Sequence, residues 1–412
     1  MQIKNSATNS REKTGVILSQ NLLAVGADLR AQLPTCDSMR RNIRRYKRGS
    51  VPKEPASAKD IHLTEEFTTT GGAEPKPFLI YDNGSEATKR ILIFATEDGL
   101  RTLCRSREWF VDGTFSVAPR QFKQMFIVRV PLGQRAVTCI YGFLPKKSQS
   151  VYEEFFQAVV ESCAQLGFDP DPATVLIDFE QAISNAIHGV ISPHVHVRRC
   201  FYHLCQATWR KIQELGLTDL YKEDEEFRHF ASMIDSLAFL PIADVEDGIV
   251  YLESVCPDAA QPLLAYFDTT FVRGGFRRIP AAPNGQEDVP APVLIRRTPP
   301  LYEPHTWNQH DTTLRNESRT NNFCEGWNNS FRQRVGHDHP SLWLAIECIQ
   351  QDAVIVCTEI DQEARGQLPP PRKRKATENL QKRLKALCVS RVAGDKSVSD
   401  ALRGFGHNVR VH

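Results

Sequence analysis

The stretch "WFVDGTFSVAP", residues 109–119, sets the charged Asp112 among strand-forming residues and directly before Gly113. The aromatic and β-branched residues around it predict a β-strand. A carboxylate inside an apolar strand costs free energy unless it is paired or bound to a cation. Asp112 is therefore the first candidate for a functional residue. We interpret Gly113, which has no side chain, as leaving room beside the strand for a metal ion and a phosphate.

The residues that follow predict a regular order of strands and helices. Strand-like segments at 121–133 and 135–147 are joined by short connections, which predicts an antiparallel meander. The later segments are an amphipathic helix, a buried strand ending in Asp178, a helix, a strand and a helix, at 150–167, 172–180, 181–191, 194–201 and 202–217. The order βββαβαβα predicts an α/β fold of the ribonuclease H-like kind, with a mixed sheet and helices on its faces.

The rest of the chain divides by pattern and composition. An apolar run at 89–94 predicts a strand, residues 17–33 and 225–240 predict helices, and residues 274–306 hold seven prolines, which favours a long loop. We predict five segments: a basic N-terminal arm and linker (1–88), a ribonuclease H-like catalytic core (89–217), an all-α insertion with a proline-rich loop (218–306), C-terminal helices completing the core (307–365) and a basic tail with one amphipathic helix (366–412).

Composition excludes some classes of protein. With 41% hydrophobic and 24% charged residues, the 412-residue chain has an ordinary globular balance. No apolar run is long enough for a membrane span or a signal peptide, so we expect an intracellular protein without a membrane partner. The eleven cysteines contain no C-x-x-C pair and are expected to be reduced thiols.

Asp112 and Asp178 are predicted to face each other, because the two strands that carry them are expected to be neighbours at the centre of the sheet. Two adjacent carboxylates repel each other unless a cation lies between them. Mg²⁺ or Mn²⁺ suits such a site, since Mg²⁺ prefers oxygen ligands and a pair of ions promotes phosphodiester chemistry. The alternative for Asp178 alone is a helix cap or turn. Spacing does not choose a third acid among Glu180, Asp311, Glu317 and Glu325.

Cys200 and His203 lie three residues apart at a strand-to-helix junction. A structural zinc site needs four ligands, and no second pair follows at a suitable spacing. Cysteine-nucleophile chemistry is the other enzymatic option, but nothing marks Cys200 as a low-pKa thiolate. We favour a polar role near the site, or a hydrogen bond that stabilises the start of the helix.

Two basic stretches are candidates for contacts with nucleic acid. The segment 39–48 is expected to follow DNA phosphates or to form a solvated helix face, and its basic residues are Arg40, Arg41, Arg44, Arg45, Lys47 and Arg48. "PRKRK" at 371–375 predicts a nuclear localisation signal. Trp307 and Trp327 are interpreted as core residues, with stacking on a distorted DNA end as the alternative.

Four segments in order resemble the transposase domain of Mutator-like elements, the MULE domain. They are "FVDGTF" at 110–115, "VLIDFEQAISNAI" at 175–187, "CFYHLCQATWRKIQELGL" at 200–217 and "RTNNFCEGWNNSF" at 319–331. The resemblance implies a ribonuclease H-like fold with a DDE triad, which falls on Asp112, Asp178 and Glu325. It also implies a C-x-x-H signature, which falls on Cys200 and His203, and a helical insertion before the glutamate.

The resemblance implies metal-dependent DNA cleavage and strand transfer, with Mg²⁺ or Mn²⁺ held by the three acids. It further implies transposon ends and target DNA as partners, a homo-oligomer on DNA and a nuclear location. No Cys/Cys/His/His set precedes residue 100, so the zinc-binding FLYWCH module is missing. We therefore expect a truncated element copy or a host-recruited derivative. The alternatives are a non-catalytic DNA-binding or chromatin-associated protein that keeps the fold, and a cellular nuclease.

Overall fold

The computed structural model describes residues 4–6, 14–30, 32–48, 52–279, 294–367 and 375–409. A mixed seven-stranded sheet lies at its centre, in the order β1-β2-β5-β4-β3-β6-β7. Its strands are β1 Leu79–Asp82, β2 Leu92–Phe94, β3 Glu108–Thr114, β4 Gln124–Leu132, β5 Arg135–Leu144, β6 Thr174–Ile177 and β7 His196–Arg199. The pairs β1–β2, β2–β5, β5–β4 and β4–β3 are antiparallel, whereas the pairs β3–β6 and β6–β7 are parallel.

The helices are given in chain order. They are α1 Thr14–Leu23, α2 Ala27–Arg30, α3 Cys36–Arg48, α4 Glu65–Thr68, α5 Glu97–Arg105, α6 Gln149–Gln165, α7 Gln181–Val190, α8 Phe201–Glu214, α9 Thr218–Glu223, α10 Glu225–Ser236, α11 Val245–Ser254, α12 Gln261–Phe267, α13 Pro304–Trp307, α14 His310–Arg315, α15 Asn322–Val335, α16 Leu342–Ala364, α17 Lys375–Val392 and α18 Val398–Gly406. Short 3₁₀ turns lie at Ala58–Asp60, Leu237–Phe239, Ile242–Asp244 and Asp258–Ala260, and a π-helical turn lies at Asp268–Val272.

From β3 to α8 the elements follow the predicted order βββαβαβα, and the predicted meander is confirmed as β3, β4 and β5. The strand predicted at 89–94 is β2. Sequence reasoning missed β1, whose four residues are all partly exposed at the edge of the sheet. An edge strand of this kind has no fully buried face, so it lacks the apolar pattern that reveals β2.

The two faces of the sheet are covered by different helices, since alternate strand residues point to opposite faces. On β3, Trp109 and Val111 pack in the core that α5, α6 and α7 cover. Phe110 packs in the other core, which α15 and the first part of α16 cover. Asp112 follows Phe110 by two residues on the same strand, so its side chain points to the same face of the sheet and toward α15.

A further core, made of helices, is formed by the chain from α8 onward. The predicted face of α10 is confirmed, with Phe227, Phe230 and Ile234 buried. Leu384 and Cys388 of α17 and residues of α18 pack into the same core. The amphipathic helix predicted within the basic tail is confirmed as α17. Its buried residues Leu384 and Cys388 join it to the helical core, so this part of the tail is packed against the rest of the protein.

The proline-rich segment also differs from the prediction. It contains an antiparallel pair, β8 Gly275–Ile279 and β9 Leu294–Thr298, so the insertion is not all-α and 274–306 is not entirely a loop. Phe276 and Ile295 remain exposed on these strands. The apolar and polar residues of "GFRRI" and "LIRRT" do not alternate, so the pattern that predicts a half-buried strand is absent.

The N-terminal helices form a small core of their own, in which Ile17 and Leu18 of α1 pack with Met39 and Ile43 of α3. The helix predicted at 17–33 is divided into α1 and α2. Downstream, residues of the predicted linker join the core beside α15 and α16, namely Ile61, Phe67 and Phe78. The prediction of a separate arm and linker is wrong for these three residues, because apolar side chains in a short irregular segment give no periodic signal.

No helix in the described ranges is long and apolar enough to cross a membrane. The eleven cysteines form no disulfide bond in this structure.

A buried acid in the helical core leads to a pH prediction. Asp235 is fully buried, and its Oδ1 accepts a 2.6 Å hydrogen bond from Thr208 while its Oδ2 has no partner in the described residues. Burial raises its pKa from 3.8 to about 7. The folded state therefore keeps a proton that the unfolded state releases, so this stabilisation is complete below pH ~4 and is lost as pH rises through ~7.

We expect the wild type to lose up to about 4 kcal/mol of unfolding free energy across this window because of Asp235, and Asp235→Asn to lack that loss. Urea unfolding of both proteins between pH 4 and 8 measures the difference. Asp219→Asn is the control, since the Asp219 side chain is 89% exposed. Identical pH slopes for wild type and Asp235→Asn would contradict the prediction.

Candidate active site

Asp112 lies on β3 and Asp178 directly follows β6, and these two strands are parallel neighbours, as the sequence predicted. Phe110 of β3 pairs with Leu176 of β6. Asp112 follows Phe110 by two residues, and Asp178 follows Leu176 by two residues, so the pairing brings the two aspartates to the same level. The Asp178 charge is close enough to raise the pKa of Asp112. The fold thus brings together two acids that are 66 residues apart (178 − 112) in the sequence.

Asp112 is held by two hydrogen bonds. The Gly113 N–H donates to its Oδ1 over 2.9 Å, and Asn328 Nδ2 donates to its Oδ2 over 2.7 Å. Its exposed fraction is 9%. Burial, followed by the Asp178 charge, raises its pKa to about 7, although both hydrogen bonds oppose that rise. The site is therefore set for a cation that would keep Asp112 ionised at neutral pH.

The turn after β6 is fixed through Arg199, a buried residue of β7. Its Nη1 donates to the Asp178 carbonyl oxygen over 2.9 Å, and its guanidinium carbon lies 5.5 and 4.5 Å from the ring centres of Phe179 and Tyr302. The Tyr302 hydroxyl donates to the Phe179 carbonyl oxygen over 2.7 Å. Burial and the Glu180 charge raise the pKa of Asp178, whose Oδ1 has no partner among the described residues.

Glu325 stands out among the four candidates for the third acid. It lies one helical turn before Asn328, on the same face of α15, and its charge also raises the pKa of Asp112. Burial raises its own pKa, and its Oε1 has no partner in the part of the chain that is described. The other three acids are already paired: Glu180 with Tyr152 and Lys147, Asp311 with His310, and Glu317 with Arg315 and Arg198.

Asn321 connects α15 to the sheet. Its Nδ2 donates to the Val111 carbonyl oxygen on β3 over 3.1 Å, and its backbone N–H donates to Cys200 Sγ over 3.2 Å. Asn321 is fully buried and directly precedes α15. These contacts place the first turn of α15, which carries Glu325, over the end of β3.

Cys200 and His203, the C-x-x-H pair, lie close to Glu325. One ligand atom each from Cys200, His203 and Glu325 lies within 4.8 Å of the others, and among the described residues no other set of three possible metal ligands is so close. Burial raises the pKa of Cys200 to about 12, so the cysteine-nucleophile alternative is disfavoured. Burial, with the charges of Arg210 and Lys147, lowers the pKa of His203 to about 4, which keeps it neutral at pH 7.

The space beside Gly113 is not open. A Cβ atom there would collide with the side-chain oxygen of Gln124, which is fully buried. Gln124 Nε2 donates to the Tyr152 hydroxyl over 2.8 Å, and that hydroxyl donates to Glu180 over 2.7 Å. The interpretation of Gly113 as room for metal and phosphate is therefore wrong, because an amide side chain fills that room.

The basic stretch forms α3, whose Met39 and Ile43 are buried against α1 while Arg40, Arg41, Arg44 and Arg45 are exposed or partly exposed. Arg40 pairs with Asp37 over 2.9 Å. The small core around α3 is separate from the cores of the sheet, so α3 is not brought into the carboxylate site. The side chains of Lys47 and Arg48 lie outside the described residues, as do residues 371–374 of "PRKRK".

Both tryptophans are core residues. Trp307 is fully buried, and its Nε1 donates to the Phe271 and Tyr302 carbonyl oxygens over 3.0 and 3.1 Å. Trp327 is 9% exposed and donates to Asp352 over 2.8 Å. Neither indole is available for stacking on DNA in this structure.

Sequence reasoning missed the residues that orient the acids. Asn328 was detectable, because it lies three residues after Glu325 and so shares its helix face. No signal of this kind marks the other residues near the acids, because each comes close to the site only when the chain is folded. They are Arg199, Tyr302, Asn321 and Lys147.

The seven-stranded sheet and its helices define a mixed α/β protein, and comparison with known proteins gives a match to a family model. Residues 108–207 match the family model of the MULE transposase domain, which confirms the predicted resemblance over that range. The matched range includes Asp112, Asp178, Cys200 and His203, whereas Glu325 lies beyond it. No curated protein matches the chain. The domain indicates a transposase or a protein derived from one.

Proposed function

We propose that this chain cleaves DNA phosphodiester bonds in a metal-dependent reaction and transfers the cut strand, as a DDE transposase of the MULE type. The observation that carries the proposal is the convergence of Asp112 and Asp178 at the ends of two adjacent parallel strands, with Glu325 above them on α15. Three acids at one place, of which Asp112 is buried and Asp178 and Glu325 are partly buried, cost free energy, and cation binding offsets that cost.

The proposed fold class is ribonuclease H-like. The central position of β3, between antiparallel β4 and parallel β6, supports it, as does the βββαβαβα order. We retain the division into a core at 89–217 that is completed by 307–365, because α15 and α16 cover one face of the sheet. The helical part at 218–306 then interrupts the core between Asp178 and Glu325.

The donor set fits Mg²⁺ or Mn²⁺. Asp178 Oδ1 and Glu325 Oε1 are buried oxygens without a hydrogen-bond partner in the described residues, and hard oxygen ligands are what these ions prefer. A two-ion site is wider than a single-ion site, so the three acids need not all lie within one short distance. When bound, a divalent ion supplies Lewis acidity that stabilises charge on the phosphate.

The side chains of the protein perform the positioning. Gly113 and Asn328 fix the Asp112 carboxylate, while Arg199 and Tyr302 fix the turn that carries Asp178. Neutral His203 lies beside Glu325, where it can orient that carboxylate or a phosphate. Holding the acids in place before the substrate arrives reduces the reorganisation required during the reaction.

The proposed reaction has two steps. Attack of water on the scissile phosphate breaks the P–O3′ bond and leaves a 3′-hydroxyl and a 5′-phosphate. Attack of that 3′-hydroxyl on a target phosphate forms a new P–O3′ bond and releases the 3′-hydroxyl of the target strand. The proposed partners are transposon ends and target DNA, bound by a homo-oligomer in the nucleus.

A cleavage assay tests this function. We expect wild-type protein with Mg²⁺ or Mn²⁺ to cut duplex DNA that carries the terminal repeats of the element, and Asp178→Ala to leave it intact. Omission of the metal is the matched control for the wild type. An Asp178→Ala protein that is folded and still cuts would refute the proposal.

The alternative is a non-catalytic DNA-binding or chromatin-associated protein that keeps the fold. The exposed arginines of α3 support DNA binding independently of the acids. If the wild type binds DNA but never cuts it with either metal, this alternative replaces the enzymatic proposal.

A further inference from the structure

The hairpin formed by β8 and β9 has exposed or partly exposed side chains on both faces, as far as its side chains are described. Five residue pairs join the two strands. On one face Phe276 is 78% exposed and Ile295 is 64% exposed, while Arg277 and Arg296 are exposed on the other. A two-stranded hairpin without a buried face is only marginally stable in water, so this one is suited to gain its contacts from a partner.

The charge of the hairpin identifies the kind of partner. The strands read "GFRRI" and "LIRRT", which gives four arginines and no acid. Arg277 lies directly opposite Arg296, and Phe276 lies opposite Arg297. Like charges opposite each other destabilise a strand pair unless an anion lies between or beside them. A polyanion bound against the hairpin would neutralise these opposed charges. Duplex DNA is a polyanion, and its major groove admits a two-stranded ribbon.

The base of the hairpin is fixed. Gly274 has a positive φ of 78°, and a Cβ atom there would collide with the Thr298 carbonyl oxygen, so only glycine allows this close approach. Arg273, the preceding residue, forms ion pairs with Asp268 and Glu253. The strands therefore leave the helical core in a defined direction.

The hairpin also emerges beside the carboxylate site. Thr298 ends β9, and Tyr302 follows four residues later, a span of at most about 14 Å. The Tyr302 hydroxyl donates to the carbonyl oxygen of Phe179, the residue after Asp178. A duplex that reached Asp178 would therefore have a phosphate backbone near the hairpin.

We propose that the β8–β9 hairpin binds the phosphate backbone and major groove of duplex DNA next to the scissile phosphate. Arg277 and Arg296, which lie opposite each other on one face of the hairpin, contact phosphates or guanine edges. The position relative to the cut rests on the proposed function, whereas duplex binding by the hairpin does not.

Salt-dependent binding tests this inference on the full chain. We expect Arg277→Gln with Arg296→Gln to weaken binding to a duplex at least about tenfold, and to reduce the slope of log affinity against log salt by about 2. The matched control is Lys382→Gln with Arg383→Gln, which removes two exposed charges from α17. Thermal unfolding of each double variant checks that the fold is retained.

The outcomes distinguish DNA binding by the hairpin from the proposed DNA cleavage by the three acids. Loss confined to the hairpin variant supports the inference, even if the wild type never cuts DNA. Equal loss in both double variants, no loss in either, or no duplex binding by the wild type overturns it. Cleavage that persists with an unchanged salt slope in the hairpin variant overturns the inference and leaves the proposed function standing.

A photo-crosslinker placed at Phe276 tests the location. We expect crosslinks within about one helical turn, roughly 10 base pairs, of the cut phosphate. Crosslinks confined to distant parts of the duplex would contradict the proposed position.

Discussion

Asp112→Ala is expected to cut DNA at least about 100- to 1,000-fold more slowly than the wild type, because the proposed reaction depends on a pre-positioned charge that the variant lacks. Asp112 lies near the Asp178 charge and accepts hydrogen bonds from Gly113 and Asn328. Its removal deletes one of the three acids without disturbing the apolar packing of β3. Single-turnover cleavage with Mg²⁺ and with Mn²⁺ measures the effect.

Two controls show whether the loss is specific. Mg²⁺ or Mn²⁺ is expected to raise the melting temperature of the wild type but not of Asp112→Ala, since ligand binding to the folded state stabilises it. Asp311→Asn is expected to cut at the wild-type rate, because that acid pairs with His310 and its side chain is 71% exposed. A folded Asp112→Ala protein with wild-type cleavage would contradict the carboxylate site.

Trp307→Ala is expected to lower the free energy of unfolding by about 3–5 kcal/mol, as loss of a fully buried large side chain does elsewhere. The indole packs against Phe267 and bonds to the Phe271 and Tyr302 carbonyl oxygens. The variant leaves a cavity in the helical core and removes the donor to both oxygens. Urea unfolding followed by circular dichroism measures the change.

The control for this variant is Leu301→Ala, which truncates an exposed side chain nearby. A change within about 0.5 kcal/mol is expected there. If Trp307→Ala were equally mild and instead weakened DNA binding, the core assignment would be wrong and the stacking alternative would regain support.

The order from β3 to α8 was predictable because it depends on local patterns. Aromatic and β-branched runs, bounded by glycine or proline, specify β3, β4 and β5. The register that places Asp112 near Asp178 follows from parallel pairing of their two strands. Motif resemblance then selected Glu325, and the partners of Glu180, Asp311 and Glu317 explain physically why those acids are less suitable.

Other features gave no local signal. The described hairpin side chains Phe276 and Ile295 are exposed, and β1 lies at the sheet edge with four partly exposed residues. The space beside Gly113 could be assigned only when the partner strand was present, because Gln124 fills it from β4. Arg199 illustrates the same limit, since its contacts with Asp178 and Tyr302 join residues far apart in the chain.

The amino-acid sequence by itself determined the alternation of strands and helices in the core and marked Asp112 as a candidate acid, because hydrophobic period and an isolated charge act within a few residues. Only the tertiary structure decided which groups surround those acids. Burial, hydrogen bonds from Asn328 and Asn321, and the closeness of Glu325 to Cys200 and His203 arise when α15 packs on the sheet. These are long-range contacts, and no local pattern encodes them.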